Sequence, residues 1–506
     1  MNSYQNPLQL PLTRRGFIGV GVGALALAGL SACTPPTANF VQPGSAEVTE
    51  VERRRRGTGH VTTTTLTAAP TLFDLAGATA STWAFGAVPP VIRIGAGDTL
   101  QAKVRNQLNT DTSVHWHGVA LRNDMDGVPP LTQQPIKSGG EFTYEFTAPD
   151  AGTYWFHPHV GVQADRGLYG ALIVEDPAEL GQYDDEWVIM LDDWLDGVTA
   201  TPDQVLRELS AGMHGMGGMH HDSAMRMGNL LMGAKSELLG GDAGDVYYPT
   251  YLINGKPSAD PAQFTARPGH RIRLRIINAG GDTAFRFGIS GHTLTITHSD
   301  GFAVNPTVVD SILIGMGERF DAVVTLGDGV FPMVAEAEGK TDRAVAIVRT
   351  NGSSRAPTGA AVSRLAAGRV GFGTQLRASD DVALPDRRPD RQLALAFTGG
   401  MGRFNWGVNG RHFDMHHPMD HAFQVKSGER VRLTVSNDTA MWHPFHLHGH
   451  TYQHASGGAR KDTSIILPRQ KLVVEFEANN PGVWAAHCHN TYHAEAGMMA
   501  VVGYLR

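Results

Sequence analysis

Cysteine is almost missing from this chain: two stand among 506 residues, Cys33 and Cys488. If processing removes or lipidates Cys33, Cys488 is left alone and no disulfide can form within the mature body. Stability must then come from packed cores, bound metals or both. The N-terminal apolar stretch from Phe17 to about Leu30 is Gly/Ala-rich and too short for a typical membrane span. An excess of positive charge is lacking as well. With 42 Lys and Arg against 49 Asp and Glu, the formal net charge is −7, which gives no electrostatic reason to expect a nucleic-acid partner.

What is present points elsewhere. The length suggests roughly three domains, and 42% hydrophobic residues support packed cores. The 60 Gly and 28 Pro fit a loop-rich β architecture better than helical bundles. The useful anomalies are 23 His and 17 Met.

Thr13-Arg14-Arg15-Gly16-Phe17 puts a twin arginine before the apolar stretch, the pattern of export for already folded proteins. The stretch ends in Leu30-Ser31-Ala32-Cys33, similar to the cleavage box of bacterial lipoproteins, with Cys33 as the lipidated residue. Plain cleavage nearby and release is the alternative. The expected location is extracytoplasmic, anchored to a membrane through Cys33. Residues 34–60 are polar, Pro-containing and basic at Arg53 to Arg56, and read as a solvated tether.

From Val61 onward, short β-rich segments alternate with turn signals. The expected units are 61–182, 183–350 with a Met/His-rich insertion at 211–232, and 392–506; a Gly/Ala/Arg/Pro-rich connection spans 351–391. In Arg271-Ile272-Arg273-Leu274-Arg275-Ile276 the alternation implies one wet and one buried face. Arg430-Val431-Arg432-Leu433-Thr434-Val435 echoes it, after a similar turn (Ile253-Asn254-Gly255, then Val408-Asn409-Gly410), which is weak evidence for duplication. Three β-sandwiches are the expected architecture.

Four stretches carry the chemistry: His115-Trp116-His117, His157-Pro158-His159, His443-Pro444-Phe445-His446-Leu447-His448, and His487-Cys488-His489 followed by His493 and Met498. On an extended strand, residues i and i+2 share a face, so each His-x-His pair can aim two imidazoles at one place. A lone His would more often be a surface or core residue; four such pairs are not so easily dismissed. Cys488 projects opposite to His487 and His489, so covalently adjacent residues face two metal sites. Cys488, His443, His493 and the thioether of Met498 make a His₂Cys set with a weak axial ligand, the signature of an electron-transfer copper. Eight histidines remain, enough for three coppers with open positions. Zinc accepts imidazole too, but an all-His cluster joined to a thiolate site favours redox copper.

These motifs, in this order, resemble the copper-binding signatures of three-domain multicopper oxidases over nearly all of the mature chain. The resemblance implies an all-β fold of three cupredoxin-like Greek-key β-sandwich domains, with a trinuclear cluster between the first and third. It implies four copper ions: one type 1 (His443, Cys488, His493, Met498), one type 2 (His115, His446), and two type 3, held by His117, His157 and His489 and by His159, His448 and His487. It implies four one-electron substrate oxidations coupled to reduction of dioxygen to water. Asp126, where the family has an acid near the cluster, is a candidate proton relay or support for a type 2 water; it equally suits a turn before Gly127. Many bacterial relatives place Glu directly after the residue matching His493. Here Ala494 stands there, which leaves Glu495 as a substitute proton donor.

Residues 211–232 hold Met213, His214, Met216, Met219, His220, His221, Met225, Met227 and Met232. Thioether and imidazole suit Cu(I), so the segment is a candidate for gathering that substrate, against a flexible loop of biased composition. Met441 and Asp438, just before His443, are weaker candidates for docking it. A second patch, His412 to His421, follows an ordinary family pattern and is not read as a metal site. Export signals and Met-rich segment resemble bacterial copper-tolerance oxidases, particularly actinobacterial-type lipoprotein members. The expected function is Cu(I) oxidation, with Fe(II) and phenols as further substrates, by a monomer. The rivals are a laccase acting on phenols or aromatic amines, a copper nitrite reductase, and a copper-sequestering or scaffold protein without turnover.

Overall fold

The computed structural model describes residues 39–179, 183–211, 224–351, 364–365 and 367–506. Arg14, Arg15 and Cys33 lie outside the described residues, as do Met213, His214, Met216, Met219, His220 and His221.

Alternating side chains build the first sandwich. The strand Thr99–Asn106 buries Leu100, Ala102, Val104 and Asn106 and turns the residues between them outward. It pairs in parallel with Val61–Asp74 and antiparallel with Glu141–Thr147. The facing sheet runs Val91–Gly95, Gly170–Glu175, Gly152–His157, His115–His117. Between the two sheets pack Val104, Trp116, Tyr144, Phe146, Phe156 and Leu172. Trp116 lies 5.2 Å from Phe156 and 5.3 Å from Phe146, ring centre to ring centre, so the residue between two histidines anchors their strand in the core.

The second sandwich is a seven-stranded sheet against a six-stranded one, and the third a six-stranded sheet against a five-stranded one. The five-stranded sheet runs Phe423–Val425, Met499–Tyr504, Val483–Cys488, His443–Leu447, Thr463–Ile466. The fold is all-β, three cupredoxin-like Greek-key sandwiches. Among the described residues, 364–390 hold only one two-residue strand and one 3-10 turn.

Two expectations are corrected. The strand Arg271–Asn278 has no wet face beyond Arg271: Arg273 and Arg275 are 3% and 2% exposed. The first sandwich covers Arg275, while Glu179 and, on the neighbouring strand, Asp321 cover Arg273. Arg275 Nη1 donates to Thr153 Oγ1 at 2.9 Å, and Arg273 Nη2 donates to Asp321 Oδ2 at 2.7 Å. Alternation reports two different faces; it does not report what lies on the polar one. In the echoing strand Arg430–Asn437, Arg430 is buried against Glu475 and Glu477 while Arg432 stays 42% exposed.

The tether reading is corrected for residues 39–55, which dock on the sandwiches, although Arg53 and Arg54 stay solvated at 72% exposure. Val41 N donates to Tyr504 O at 2.8 Å, and Arg506 N donates to Asn39 O at 3.0 Å. The helix Ala46–Arg54 buries Val48. Glu52 accepts from Thr147 N at 2.9 Å, and Arg55 Nη2 donates to Asn480 Oδ1 at 3.3 Å. A few apolar side chains in a polar segment therefore dock it across the first and third sandwiches.

Candidate metal centres

Strand pairing brings the motifs together. His115 lies opposite His157 on the paired strands of the first sandwich, and His446 opposite His487 in the third. Because the side-chain period is two, the strand His115–His117 sends both rings to one side; in the other three motifs His157, His446 and His487 lie on strands, and His159, His448 and His489 follow just past the strand ends. The two sandwiches press those sides together. His115 stacks on His448 and His117 on His446, each at 3.8 Å between ring centres. His159 and His487 stand 5.2 Å apart, as do His157 and His489. His117 is 4.9 Å from His489.

The nitrogens show what this cluster can hold. Outer partners take one nitrogen of most rings: Nδ1 of His115 meets Asp126 O at 2.8 Å, and Nδ1 of His446 meets Asp462 O at 3.0 Å. Nδ1 of His157 meets Pro158 O at 2.9 Å, and Nδ1 of His487 meets Cys488 O at 2.8 Å. Left buried with no partner are Nε2 of His115, His157 and His446, Nδ1 of His117, and both nitrogens of His489. Each such orphan costs about 1–3 kcal/mol unless something takes its lone pair. Nε2 of His448 and of His487 face each other at 3.0 Å. Ligand atoms converge within 4.8 Å in His115/His446/His448 and in His159/His448/His487. Metal ions are what such a donor set accommodates.

Burial, and repulsion from neighbouring imidazoles, hold His117, His157, His159, His448, His487 and His489 well below the usual histidine range, so the rings are neutral, as ligands must be. Burial alone lowers His493 to about 3. Below about pH 6.5 the unfolded chain's histidines bind protons that these folded rings refuse, so their contribution to folding stability falls with pH from there downward. Calorimetry of the apoprotein should show a lower melting temperature at about pH 5 than at about pH 7.5; an unchanged one contradicts it.

The second centre lies behind Cys488. Its Sγ is 3.4 Å from His443 Nδ1 and 3.8 Å from His493 Nδ1, and the two nitrogens are 3.2 Å apart. Thr439 Oγ1 sits 2.8 Å from His443 Nε2, so an Nε2–H can donate there and leave Nδ1 as the ligand atom. Asn490 caps the short helix Thr491–Glu495 by accepting from Tyr492 N and His493 N, which fixes His493. Met498 is wholly buried, and its carbonyl accepts from Cys488 N at 3.1 Å. Burial pushes the Cys488 thiol far up, so a bound cation is what would make it a thiolate.

Asp126 is fully buried, with Oδ2 3.0 Å from His448 Nδ1 and Oδ1 3.2 Å from His115 Nδ1. The turn reading holds too. Gly127 has φ +79°, and a Cβ there would lie 1.8 Å from Val114 O, beside His115. Gly127→Ala should cost at least about 2 kcal/mol by urea denaturation; a loss under about 0.5 kcal/mol, ordinary for a neutral site, counts against it.

Glu495 stands on the wall of a 330 Å³ cavity that also touches His157, His159, His487 and His489. Surrounding protein and nearby Asp203 raise its carboxyl.

Of the Met-rich stretch, the hairpin Met225–Met227/Leu230–Met232 is described, with Met225 opposite Met232. Leu231 packs on the buried cluster containing Trp442, the neighbour of His443. Met441 is buried and Asp438 exposed in the loop leading to His443. Around His412 to His421, His417 pairs with Asp414 at 3.0 Å, and among the described residues no His/Cys/Asp/Glu trio there reaches ligating distance. Sequence reading missed Asp462, Thr463 and Thr439, none of which sits in a histidine motif.

Family models described as multicopper oxidase match residues 73–179, 185–353 and 386–504. The chain is 45% identical over 500 residues to multicopper oxidase MmcO of Mycobacterium tuberculosis, covering 97% of each. It is 29% identical to copper resistance protein A of Escherichia coli, covering 82% of this chain and 88% of that one. In fold it is similar to the crystal structure of Fet3p, a multicopper oxidase that functions in iron import, with TM-score 0.71 and 22% identity over 88% of this chain and 90% of that one. Three matched stretches and near-full-length identity show that this chain belongs to the multicopper oxidases.

Proposed function

We propose that this copper-dependent oxidoreductase oxidises Cu(I) outside the cytoplasm and reduces dioxygen to water, in copper tolerance. In balanced form, four Cu(I), one dioxygen and four protons give four Cu(II) and two waters. The observation that carries the oxidase reading is Cys488: its sulfur faces His443 and His493, while the flanking His487 and His489 face the eight-histidine cluster. Copper, when bound, supplies one-electron acceptance at the first place and delivery to dioxygen at the second. The proposed complement is four ions, one type 1 (His443, Cys488, His493, Met498), one type 2 (His115, His446) and two type 3 (His117, His157, His489; His159, His448, His487).

The chain's own groups do the rest. Peptide bonds from Cys488 to either neighbour make the electron route short. Asp126 holds His115 and His448 and can pass a proton to the cluster; Glu495 can bring protons along the cavity wall. Cu(I) as substrate is supported by Met225, Met227 and Met232 on a hairpin packed against Trp442, with Met441 and Asp438 before His443. The copper resistance relative agrees with that role. We further propose twin-arginine export, a lipid anchor on Cys33 and a monomeric body, with unit boundaries at 61–182, 183–350 and 392–506.

Oxygen uptake tests the substrate. The copper-loaded protein should consume oxygen faster with chelated Cu(I) than with a simple phenol. Deleting residues 211–232 should lower the first rate several-fold more than the second. A preference for the phenol that ignores the deletion would make this a laccase with an incidental Met-rich loop.

A further inference from the structure

The middle sandwich contributes none of the candidate ligands, yet it reaches the histidine cluster. Arg319, at the start of its strand Arg319–Thr325, is fully buried and grips Asp462 of the third sandwich with two parallel bonds, Nη1 to Oδ1 at 2.7 Å and Nη2 to Oδ2 at 2.6 Å. Its Nε donates to Thr153 O of the first sandwich at 3.1 Å. All three units therefore meet on one guanidinium. Asp300 of the middle sandwich completes the clamp, its Oδ2 accepting from Asp462 N at 3.1 Å and Thr463 N at 3.0 Å.

The other side of Asp462 faces the cluster. Oδ1 lies 3.1 Å from His117 Nε2, and the backbone oxygen lies 3.0 Å from His446 Nδ1. A carboxylate and a carbonyl can only accept, and Thr463 Oγ1, 3.0 Å from His117 Nε2 and 3.1 Å from His446 Nδ1, gives its own proton to Asp462 Oδ1 at 2.8 Å, so His117 carries its proton on Nε2 and His446 on Nδ1. The lone pairs then fall on His117 Nδ1 and His446 Nε2, and these are two of the buried nitrogens that lack a partner. One residue thus gives two stacked rings opposite tautomers. Glycines make the room. A Cβ on Gly118, the residue after His117, would sit 2.3 Å from Arg319 Nη2 and 2.7 Å from Asp462 Oδ2. A Cβ on Gly317 would lie 2.9 Å from His489 and 3.0 Å from His117.

We propose that Arg319 and Asp462 are positioning residues of the histidine cluster, through which the middle sandwich decides which nitrogen His117 and His446 offer to copper. The proposal rests on reading the cluster as a copper site. Orientation of this kind is worth about 10–100-fold in metal affinity when an outer partner of a ligating histidine is lost.

Breaking a buried pair from one side leaves an uncompensated charge, whereas neutralising both sides is far milder. The informative protein is therefore the full-length double variant Arg319→Gln/Asp462→Asn, with Arg319→Lys beside it. Copper per chain is measured after dialysis against graded chelator, with paramagnetic resonance separating the blue from the non-blue ions. The double variant is expected to keep its melting temperature and its blue signal while its cluster copper binds about 10–100-fold more weakly. Arg319→Lys, which keeps the charge but loses the fork, should recover part of that loss. Cluster copper held with wild-type affinity and resonance signature overturns the proposal. So does loss of blue and cluster copper in step with the melting temperature, which would make the pair a general structural prop. A wild-type chain without cluster copper would overturn the copper-site reading as well, which keeps the two failures distinguishable.

Discussion

Replacing Cys488 by serine should remove the blue colour and the oxidase turnover together while leaving the fold standing. The side chain is wholly buried, with two imidazole nitrogens within 3.8 Å of its sulfur. A hydroxyl occupies nearly the same volume and can donate to His443 Nδ1, so the apoprotein should unfold within about 1 kcal/mol of the wild type. What serine lacks is a soft, readily deprotonated donor: copper can displace a thiol proton at neutral pH, and an alcohol's proton is far harder to displace. The fall in turnover should exceed the roughly 10–100-fold that losing an outer partner costs, because a direct ligand and the start of the electron route go at once. Colour and steady-state oxygen uptake check it. Turnover surviving without the blue site would mean that substrate electrons enter elsewhere. A protein that keeps most of its Cu(I) binding but never turned over would be the sequestering alternative.

Asp126→Asn should leave the blue site working and slow its return. Asp126 Oδ2 accepts from His448 Nδ1 at 3.0 Å, while His115 Nδ1 is held by the Asp126 backbone oxygen at 2.8 Å; the second carboxylate oxygen, Oδ1, lies 3.2 Å from that nitrogen and has no hydrogen-bond partner. An asparagine can still accept from His448, but its amide N–H₂ then stands where Oδ1 stood, close to a His115 N–H that the backbone oxygen already takes, and it carries no negative charge. Both rings keep an acceptor, and what is lost is the group that could hold a proton beside the cluster. Anaerobic substrate should bleach the blue colour at the wild-type rate, because Asp126 is no part of the Cys488 site. On admitting oxygen, recolouring should be slower by about 10–100-fold. Stopped-flow absorbance separates the two halves. If bleaching slows by the same factor, Asp126 acts on the whole fold and not on oxygen reduction.

The histidine motifs could be read because their logic is local. His115 and His117 share a face whatever surrounds them, and Trp116 between them must go the other way, into the core where its ring is found. The same period of two separates Cys488 from His487 and His489. Arg273 and Arg275 were misread from the same kind of pattern: alternation cannot say whether water or another sandwich covers the polar face. Residues 39–56 were misread because composition averages over a segment, while a few of its residues dock it: Phe40, Val41 and Val48 by burial, Glu52 and Arg55 by hydrogen bonds.

By itself the sequence determined the β architecture, the pairing of histidines on strands and the opposite facing of a lone cysteine, all consequences of dihedral geometry and side-chain period within a few residues. Only the tertiary structure decided that rings from positions 115 and 448 stack at 3.8 Å, that Asp126 bridges them, and that Asp462 is an outer partner of two histidines instead of a strand-edge acid. Those facts depend on which sandwich faces which. Their energetics belong to buried charge: Asp462 is admissible in a dry interior because Arg319, 143 residues away, supplies two parallel hydrogen bonds, and no local pattern carries that information.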